Sequence, residues 1–445
     1  MKIGVVGLGK IGLPLAVQFA SKGFSVTGVD IDANHVREIL AGTEIFPDEA
    51  ELHERSQEVI RNGNLRCTTN LEETIRASDV VVVVVPLVTD TGGSPTFGLL
   101  DSAAASVGRS LRVDSLVIFE TTVPIGTTRN RLKPIIEKAS NLEEGKDFHL
   151  AYSPERVFSG RIFEDLRKYP KIVGGLSQEG STRAVSFYSK VLDFDLRETL
   201  PEPNGVWDVG SSEAAEFVKL AETTYRDVNI SLANQFARHA EDVGVNVWRV
   251  IEAANSQHYS HVHSPGISVG GHCIPVYPHL YMFSDQSVGI VSAARNLNAA
   301  VPERCAQKLL NVFPDLNGVE VAILGLAYRQ GVKEDSFSGA YSLTSELTRL
   351  NARPFVHDPF YTADEIASRG LAPLASSDQP EAIIVNTDHP EYRLYSKKDF
   401  PSVKCVIDGR GIIDRSLWPE TPVWVIGRGW FHTSAGSELL ESQSE

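Results

Sequence analysis

The chain has 445 residues, and its formal net charge of −15 with a pI near 5.3 argues against nucleic acid or an anionic membrane as the main partner. That length predicts two or three domains, and 42% hydrophobic against 22% charged residues excludes a largely disordered chain. The four cysteines, Cys67, Cys273, Cys305 and Cys405, form no CxxC pair. This suits reduced thiols, and with a chain that opens on a strand rather than a leader it predicts a cytoplasmic protein.

In chain order, Lys2 to Val6 reads as a strand, Gly12 to Lys22 as a helix and Val26 to Asp30 as a second strand. The apolar run Val80 to Val85 is far too short for a membrane span and reads as a buried parallel strand. Ser115 to Thr121, Phe148 to Tyr152 and Lys171 to Val173 continue the alternation of strand and helix. The expected fold class is α/β, with a doubly wound parallel sheet over residues 1–200.

A central helical region is expected over residues 201–312. Ser211 or Ser212 can cap a helix running to Val243, with Phe217, Leu220, Ile230, Leu232 and Phe236 in buried stripes. One helix would be about 45 Å long, which suits a domain link or a contact with a second subunit; two shorter helices are the alternative. From residue 313 to 432 the alternation returns. Strands are expected at Val319 to Leu324, Pro354 to His357, Ala382 to Asn386, Val403 to Ile407 and Val423 to Ile426. The echo of Ile3 to Gly9 in Val321 to Leu326 suggests a distant duplication of the first domain. Residues 433–445 read as a polar, loose tail.

Two segments carry chemistry. Gly7-Leu8-Gly9-Lys10-Ile11-Gly12 is a GxGxxG motif placed between a strand and a helix. Its glycines let the backbone approach a pyrophosphate at a helix N-terminus, and Asp30 ends the next strand, where a carboxylate binds a ribose 2′-OH and repels a 2′-phosphate. The combination predicts NAD. The second segment runs from Ser264 to Pro278, dense in Gly and Pro, with Cys273 beside His272. A thiol in a polar turn beside an imidazole is a candidate nucleophile, although a lone Cys is more often a small buried hydrophobe. His258, His261, His263 and His272 fit no common zinc spacing, so no metal is expected.

These segments occur in one order with Glu120 to Thr128 (ETTVPIGTT), Ser153-Pro154-Glu155-Arg156-Val157, Lys219-Leu220 and Gly270-Gly271-His272-Cys273-Ile274-Pro275. Together they resemble the UDP-glucose/GDP-mannose dehydrogenase family. The GGHCIPV form is most similar to its UDP-N-acetylmannosamine and UDP-N-acetylglucosamine 6-dehydrogenase branch. The resemblance implies a Rossmann NAD domain, a helical dimerisation region and a nucleotide-sugar domain, working as a homodimer or higher homo-oligomer. It implies a four-electron oxidation of a sugar C6 alcohol to a carboxylate, serving polysaccharide or other glycan synthesis. Cys273 would be the nucleophile, Lys219 the oxyanion stabiliser, Glu155 the acid–base group and Thr122 the residue that positions water. Pro86 and Thr122 would join Gly7, Gly9, Lys10, Ile11, Gly12 and Asp30 around the cofactor. Glu155, Arg156, Lys219, Gly270, Arg329 and Arg410 would contact the nucleotide sugar.

The chain departs from the family pattern in three places. Thr223 stands where the family commonly has Asn, and Tyr277 where it commonly has Asp. No Arg lies between Gln257 and His263. These departures bear on thioester hydrolysis, where Thr223, Tyr277 or His272 would have to serve as the relay. Release of an aldehyde after one oxidation is therefore one alternative, and a non-catalytic NAD- or nucleotide-sugar-binding regulator is another.

Overall fold

The structure, a computed structural model, describes residues 1–431 apart from Thr91, Gln286 and Val288. The expected loose tail at 433–445 lies outside the described residues. The chain divides into two compact units, one formed by Met1–Glu222 with His279–Gln286, the other by Thr223–Pro278 with Ser287–Glu445.

The first unit is built on an eight-stranded sheet. Its order is Val206–Asp208, Lys171–Gly175, His149–Tyr152, Leu116–Phe119, Val80–Val83, Lys2–Val6, Ser25–Val29 and Leu65–Thr68. The central strands are valine-rich and buried on both faces, as a sheet covered by helices requires. All neighbours are parallel except His149–Tyr152 with Lys171–Gly175. Several strands end earlier than the residue pattern suggests. Val84 and Val85 leave the sheet, and the Val85 carbonyl instead accepts a hydrogen bond from Thr121 Oγ1 at 2.6 Å.

The second unit holds a six-stranded sheet in the order Arg353–His357, Glu320–Leu324, Ala382–Val385, Cys405–Asp408, Val423–Val425 and Gly429–Phe431. Only the last strand is antiparallel. The two sheets share a detail that supports the duplication read from the sequence. Asp30 Oδ2 accepts from the Leu8 N–H at 2.9 Å, and Asp358 Oδ2 accepts from Leu326 and Ala327 N–H at 2.8 Å each. In each sheet an acid just beyond the second strand braces the glycine turn after the first.

Ser212–Val243 is one unbroken helix of 32 residues. Ser211 caps it, its Oγ accepting from the Ala214 N–H at 3.1 Å. The expected stripes need correction. Leu220 is buried, but Phe217, Leu232 and Phe236 are exposed. Ala215 joins the core of the first unit, and Ala233, Ala237 and Ala240 pack in the second. Small residues face inward because the neighbouring elements approach the helix backbone closely there, which leaves the large apolar side chains on the outer face.

Candidate active site

The turn after Lys2–Val6 lies where the strand order of the first sheet reverses, between Ser25–Val29 and Val80–Val83. Gly7 has φ +92°, and a Cβ there would lie 2.7 Å from the Val84 carbonyl oxygen. At Gly12 a Cβ would lie 1.8 Å from the Gly7 carbonyl oxygen, so only glycine lets the helix start so near the strand. Gly9 differs, because a Cβ there would meet nothing within 4 Å. Two glycines thus serve close packing, and the middle one faces open space of the kind a pyrophosphate needs. Lys10 is exposed and Ile11 partly packs into the core below. Asp30 also accepts from the Asp32 N–H at 3.0 Å, which fixes its carboxylate beside the loop. Pro86 is exposed beyond Val80–Val83, and Thr122 is buried. These residues fit a bound dinucleotide.

Glu155 sits in a buried charge cluster that sequence reasoning did not foresee. Lys171 Nζ donates to Glu155 Oε2 at 2.8 Å and to Glu120 Oε2 at 2.9 Å. Tyr188 Oη donates to the other oxygen of Glu120, and the Lys171 ammonium lies 4.8 Å from the Tyr188 ring centre. Burial disfavours the Glu155 carboxylate, but the Lys171 ammonium outweighs it and holds Glu155 below the usual carboxylate range. Burial pushes Glu120 up to about 7. Lys219 is buried, bonds Glu222 at 3.3 Å and adds its positive charge to the Glu155 environment. Arg156 pairs with Glu222 through Nε at 2.9 Å, so its guanidinium is already engaged. Another unforeseen acid, Glu216, is fully buried and accepts from the Gly126 and Thr128 N–H groups and from Thr128 Oγ1. It holds the turn that follows Thr122 against the long helix.

In the second unit the Gly/Pro segment around Cys273 is irregular, so side chains supply the partners its backbone lacks. Asn229 donates to the His261 carbonyl at 2.7 Å and accepts from the His263 N–H at 2.9 Å. Asn234 accepts from the Gly266 N–H at 3.0 Å. The Gly271 N–H donates to the Ser336 carbonyl at 2.8 Å, and His272 Nδ1 lies 2.8 Å from Glu334. Arg295 donates to the Pro275 carbonyl at 3.0 Å and pairs with the buried Asp227 at 2.9 Å. Cys273 is half-buried between these two sets of anchors. Its carbonyl accepts from the N–H groups of Val276 and Tyr277, and Tyr277 opens the helix Tyr277–Ser284.

The same segment lies on the carboxyl end of the second sheet. A Cβ on Gly409 would collide with Ile267 at 2.2 Å, and one on Gly339 with Ser268 at 2.5 Å. Gly270 packs so closely on Tyr328 that a Cβ would come within 2.6 Å of it. Packing by itself therefore requires glycine at this position, which is also one expected to contact the substrate. Arg410 follows the strand Cys405–Asp408; its Nε donates to the Asn386 carbonyl at 2.6 Å and its guanidinium packs on Gly266. It is no ordinary surface arginine. Arg329 Nε lies 3.1 Å from Tyr328 Oη.

The expected residues thus divide between the units. Thr122, Glu155, Arg156 and Lys219 belong to the first, with Thr223, Gly270, His272, Cys273, Tyr277, Arg329 and Arg410 in the second. Thr223 is buried on the same helix as Lys219.

Three consecutive stretches of the chain match one family. Residues 1–192 match the NAD binding domain of the UDP-glucose/GDP-mannose dehydrogenase family, 213–300 its central domain and 322–415 its UDP binding domain. The chain belongs to this family. It is an NAD-dependent nucleotide-sugar dehydrogenase. The UDP-N-acetyl-D-mannosamine dehydrogenase of Pyrococcus horikoshii is 34% identical over 439 residues, covering 96% of this chain and 99% of that one. The solved structure of the UDP-D-ManNAc dehydrogenase from Pyrococcus horikoshii gives a TM-score of 0.85 at 32% identity, covering 96% of this chain and 100% of that one. That of the NDP-N-acetyl-D-galactosaminuronic acid dehydrogenase from Methanosarcina mazei gives 0.82 at 28% identity, covering 96% and 95%.

Within this dehydrogenase the NAD-binding match carries the glycine turn, Asp30, Thr122 and Glu155. The central match carries Lys219, Thr223 and the Cys273 segment. Arg329 and Arg410 fall in the UDP-binding match. Among the described residues no helix is long and apolar enough to cross a membrane, and no three His, Cys, Asp or Glu residues group as a metal site.

Proposed function

We propose that this dehydrogenase oxidises the C6 alcohol of a UDP-sugar to the carboxylate through a covalent intermediate on Cys273, with UDP-N-acetyl-D-mannosamine as the substrate. The observation that carries this reading is the seat of Cys273. The thiol is held between two anchored flanks on a segment laid over the strand ends of a domain that matches a UDP-binding family domain. The similarity to UDP-N-acetyl-D-mannosamine dehydrogenases supports the choice of sugar.

The glycine turn of residues 7–12 and Asp30 would hold NAD, which would supply the hydride acceptor, one NAD for each of the two oxidations. The first oxidation leaves an aldehyde at C6. Cys273 Sγ adds to that carbon and the oxygen takes a proton, giving a thiohemiacetal. Loss of the second hydride and the hydroxyl proton gives a thioester, which water cleaves to release the acid and the thiol. Lys219 stabilises negative charge on the C6 oxygen. Glu155 moves protons, and Thr122 orients the water. Thr223 and Tyr277 take the places of the usual amide and carboxylate, and His272 borders the thiol. Arg329 and Arg410 recognise the pyrophosphate and ribose, where forked donors suit phosphate. Ile31, 92% exposed directly after Asp30, would offer an apolar surface to a bound dinucleotide.

The assignment of residues 1–200 to NAD, 201–312 to the helical core and 313–432 to the nucleotide sugar is part of this proposal. So is a homodimer in the cytoplasm. Tyr225, Leu232, Phe236 and Val243 are all exposed along one helix and recur at heptad-like spacing, which suits a second copy of the chain. Sedimentation equilibrium is expected to give twice the 48.6 kDa chain mass, and a purely monomeric result removes the dimer.

The substrate is tested by incubating the protein and NAD with UDP-, TDP- and GDP-sugars and identifying products by mass spectrometry. The highest kcat/KM is expected with UDP-N-acetyl-D-mannosamine, yielding the uronic acid. A clear preference for UDP-glucose or a GDP-sugar overturns the choice of substrate.

A further inference from the structure

Three buried ionisable side chains, Glu120, Lys171 and Tyr188, are linked to Glu155 and have no part in the proposed reaction. A lysine enclosed this deeply is costly unless its charge is matched. Here one ammonium bridges two carboxylates, at 2.8 Å to Glu155 and 2.9 Å to Glu120, and the far oxygen of Glu120 accepts from Tyr188. The remaining oxygen of Glu155 accepts from the Arg156 N–H at 2.7 Å. Glu155 is therefore gripped on both oxygens by groups fixed to three elements: its own turn, the strand Lys171–Gly175 and, through Glu120, the end of Leu116–Phe119.

We propose that Lys171 and Glu120 are positioning residues that set the proton affinity and the orientation of Glu155, with Tyr188 as the brace that keeps Glu120 in place. This rests on the reading of Glu155 as the acid–base residue. One carboxylate more than the ammonium can neutralise leaves the cluster with a net charge of −1 when every carboxyl is ionised. The inner carboxyl, Glu120, is the one that burial presses toward protonation, leaving the Lys171 charge to Glu155. Lys219 also acts on Glu155 and favours its carboxylate, and it is itself paired with Glu222 at 3.3 Å.

The test is the pH dependence of kcat for NADH formation from UDP-N-acetyl-D-mannosamine, in wild type and in Glu120→Gln, Lys171→Met, Lys171→Arg and Glu155→Gln. A base must be ionised, so activity rises through the acid limb of the profile. Lys171→Met removes the stabilising cation, and that limb is expected to move up by about 1–3 pH units. Lys171→Arg restores its position. Glu120 is the carboxyl that stays protonated through that limb, so Glu120→Gln exchanges one neutral group for another and the limb is expected to stay in place, while the carboxyl band seen in wild type minus Glu120→Gln is expected to ionise at about 7. Lys171→Met strands two buried carboxylates and is the variant most exposed to misfolding; Glu120→Gln combined with Lys171→Met leaves only Glu155 without its ammonium, and the same upward move of the limb is expected there. The infrared carboxyl band of the unliganded protein, taken as wild type minus Glu155→Gln, reads the same shifts without turnover. If Glu155→Gln is inactive while both the limb and the Glu155 band stay fixed in Lys171→Met and in the double variant, or if the Glu120 band ionises together with that of Glu155, these residues are only structural and the proposal falls. If Glu155→Gln keeps wild-type kcat, the acid–base reading itself fails; the infrared band still decides whether Lys171 and Glu120 set the Glu155 proton affinity.

Discussion

Cys273→Ser is expected to lower formation of the uronic acid by about 1000-fold or more, the scale seen when a catalytic nucleophile is removed. The hydroxyl is a far weaker nucleophile than a thiolate, so the C6 aldehyde would not be captured. None of the anchors of the segment uses the Cys273 side chain; they act on Gly266, Gly271, His272 and Pro275. The substitution should therefore leave the melting temperature and NAD affinity unchanged. The first hydride transfer does not need sulfur, so a slow release of aldehyde is the expected residual activity. Uronic acid formed at more than about a tenth of the wild-type rate would contradict covalent catalysis.

The second large effect concerns Asp227. Its carboxylate is fully buried and meets Arg295, which also holds the Pro275 carbonyl two residues past Cys273. Asn298 donates to the same carboxylate at 2.9 Å and accepts from Asn234, the residue that anchors Gly266. One buried network thus fixes both flanks of the thiol. Removing a single partner leaves an uncompensated charge, so Asp227→Ala is expected to cost about 3–5 kcal/mol in urea unfolding at unchanged m. Asp227→Leu combined with Arg295→Met should recover much of that cost, because no charge is then left unpaired. The double variant should still form uronic acid slowly, since the Pro275 anchor that seats Cys273 is gone. A single variant as stable as wild type would show that the pair carries no structural weight.

The glycine turn was legible because its geometry is local. Gly7, Gly9, Gly12 and Asp30 lie within one strand–turn–helix–strand unit, and each keeps in the structure the place that the spacing predicts. Cys273 was legible as a thiol in a glycine-rich turn, but what holds it was not. Asn229, Asn234, Asp227 and Arg295 are distant in sequence from the residues they bind, and a lone amide in a helix reads as a solvated face. Lys171 and Glu120 were hidden for a related reason. Each is a single charge at the end of an apolar strand, and periodicity does not tell a buried charge from an exposed one. The charges embedded in Leu-Val-Ile-Phe-Glu and Lys-Ile-Val-Gly-Gly were the available signal, because such residues in fully buried strands demand partners. The long helix was found at nearly its true length while its faces were misread. Burial there follows how closely neighbouring elements approach, which favours Ala233, Ala237 and Ala240 over the larger Leu232 and Phe236.

The central claim is a four-electron oxidation completed on Cys273, and the stoichiometry of NADH formed per UDP-N-acetyl-D-mannosamine consumed tests it most directly. Two NADH for each sugar, with uronic acid as the only product, is the expected result. One NADH for each sugar, with aldehyde released, would contradict it. Thr223 and Tyr277 would then mark an enzyme that stops after its first hydride transfer.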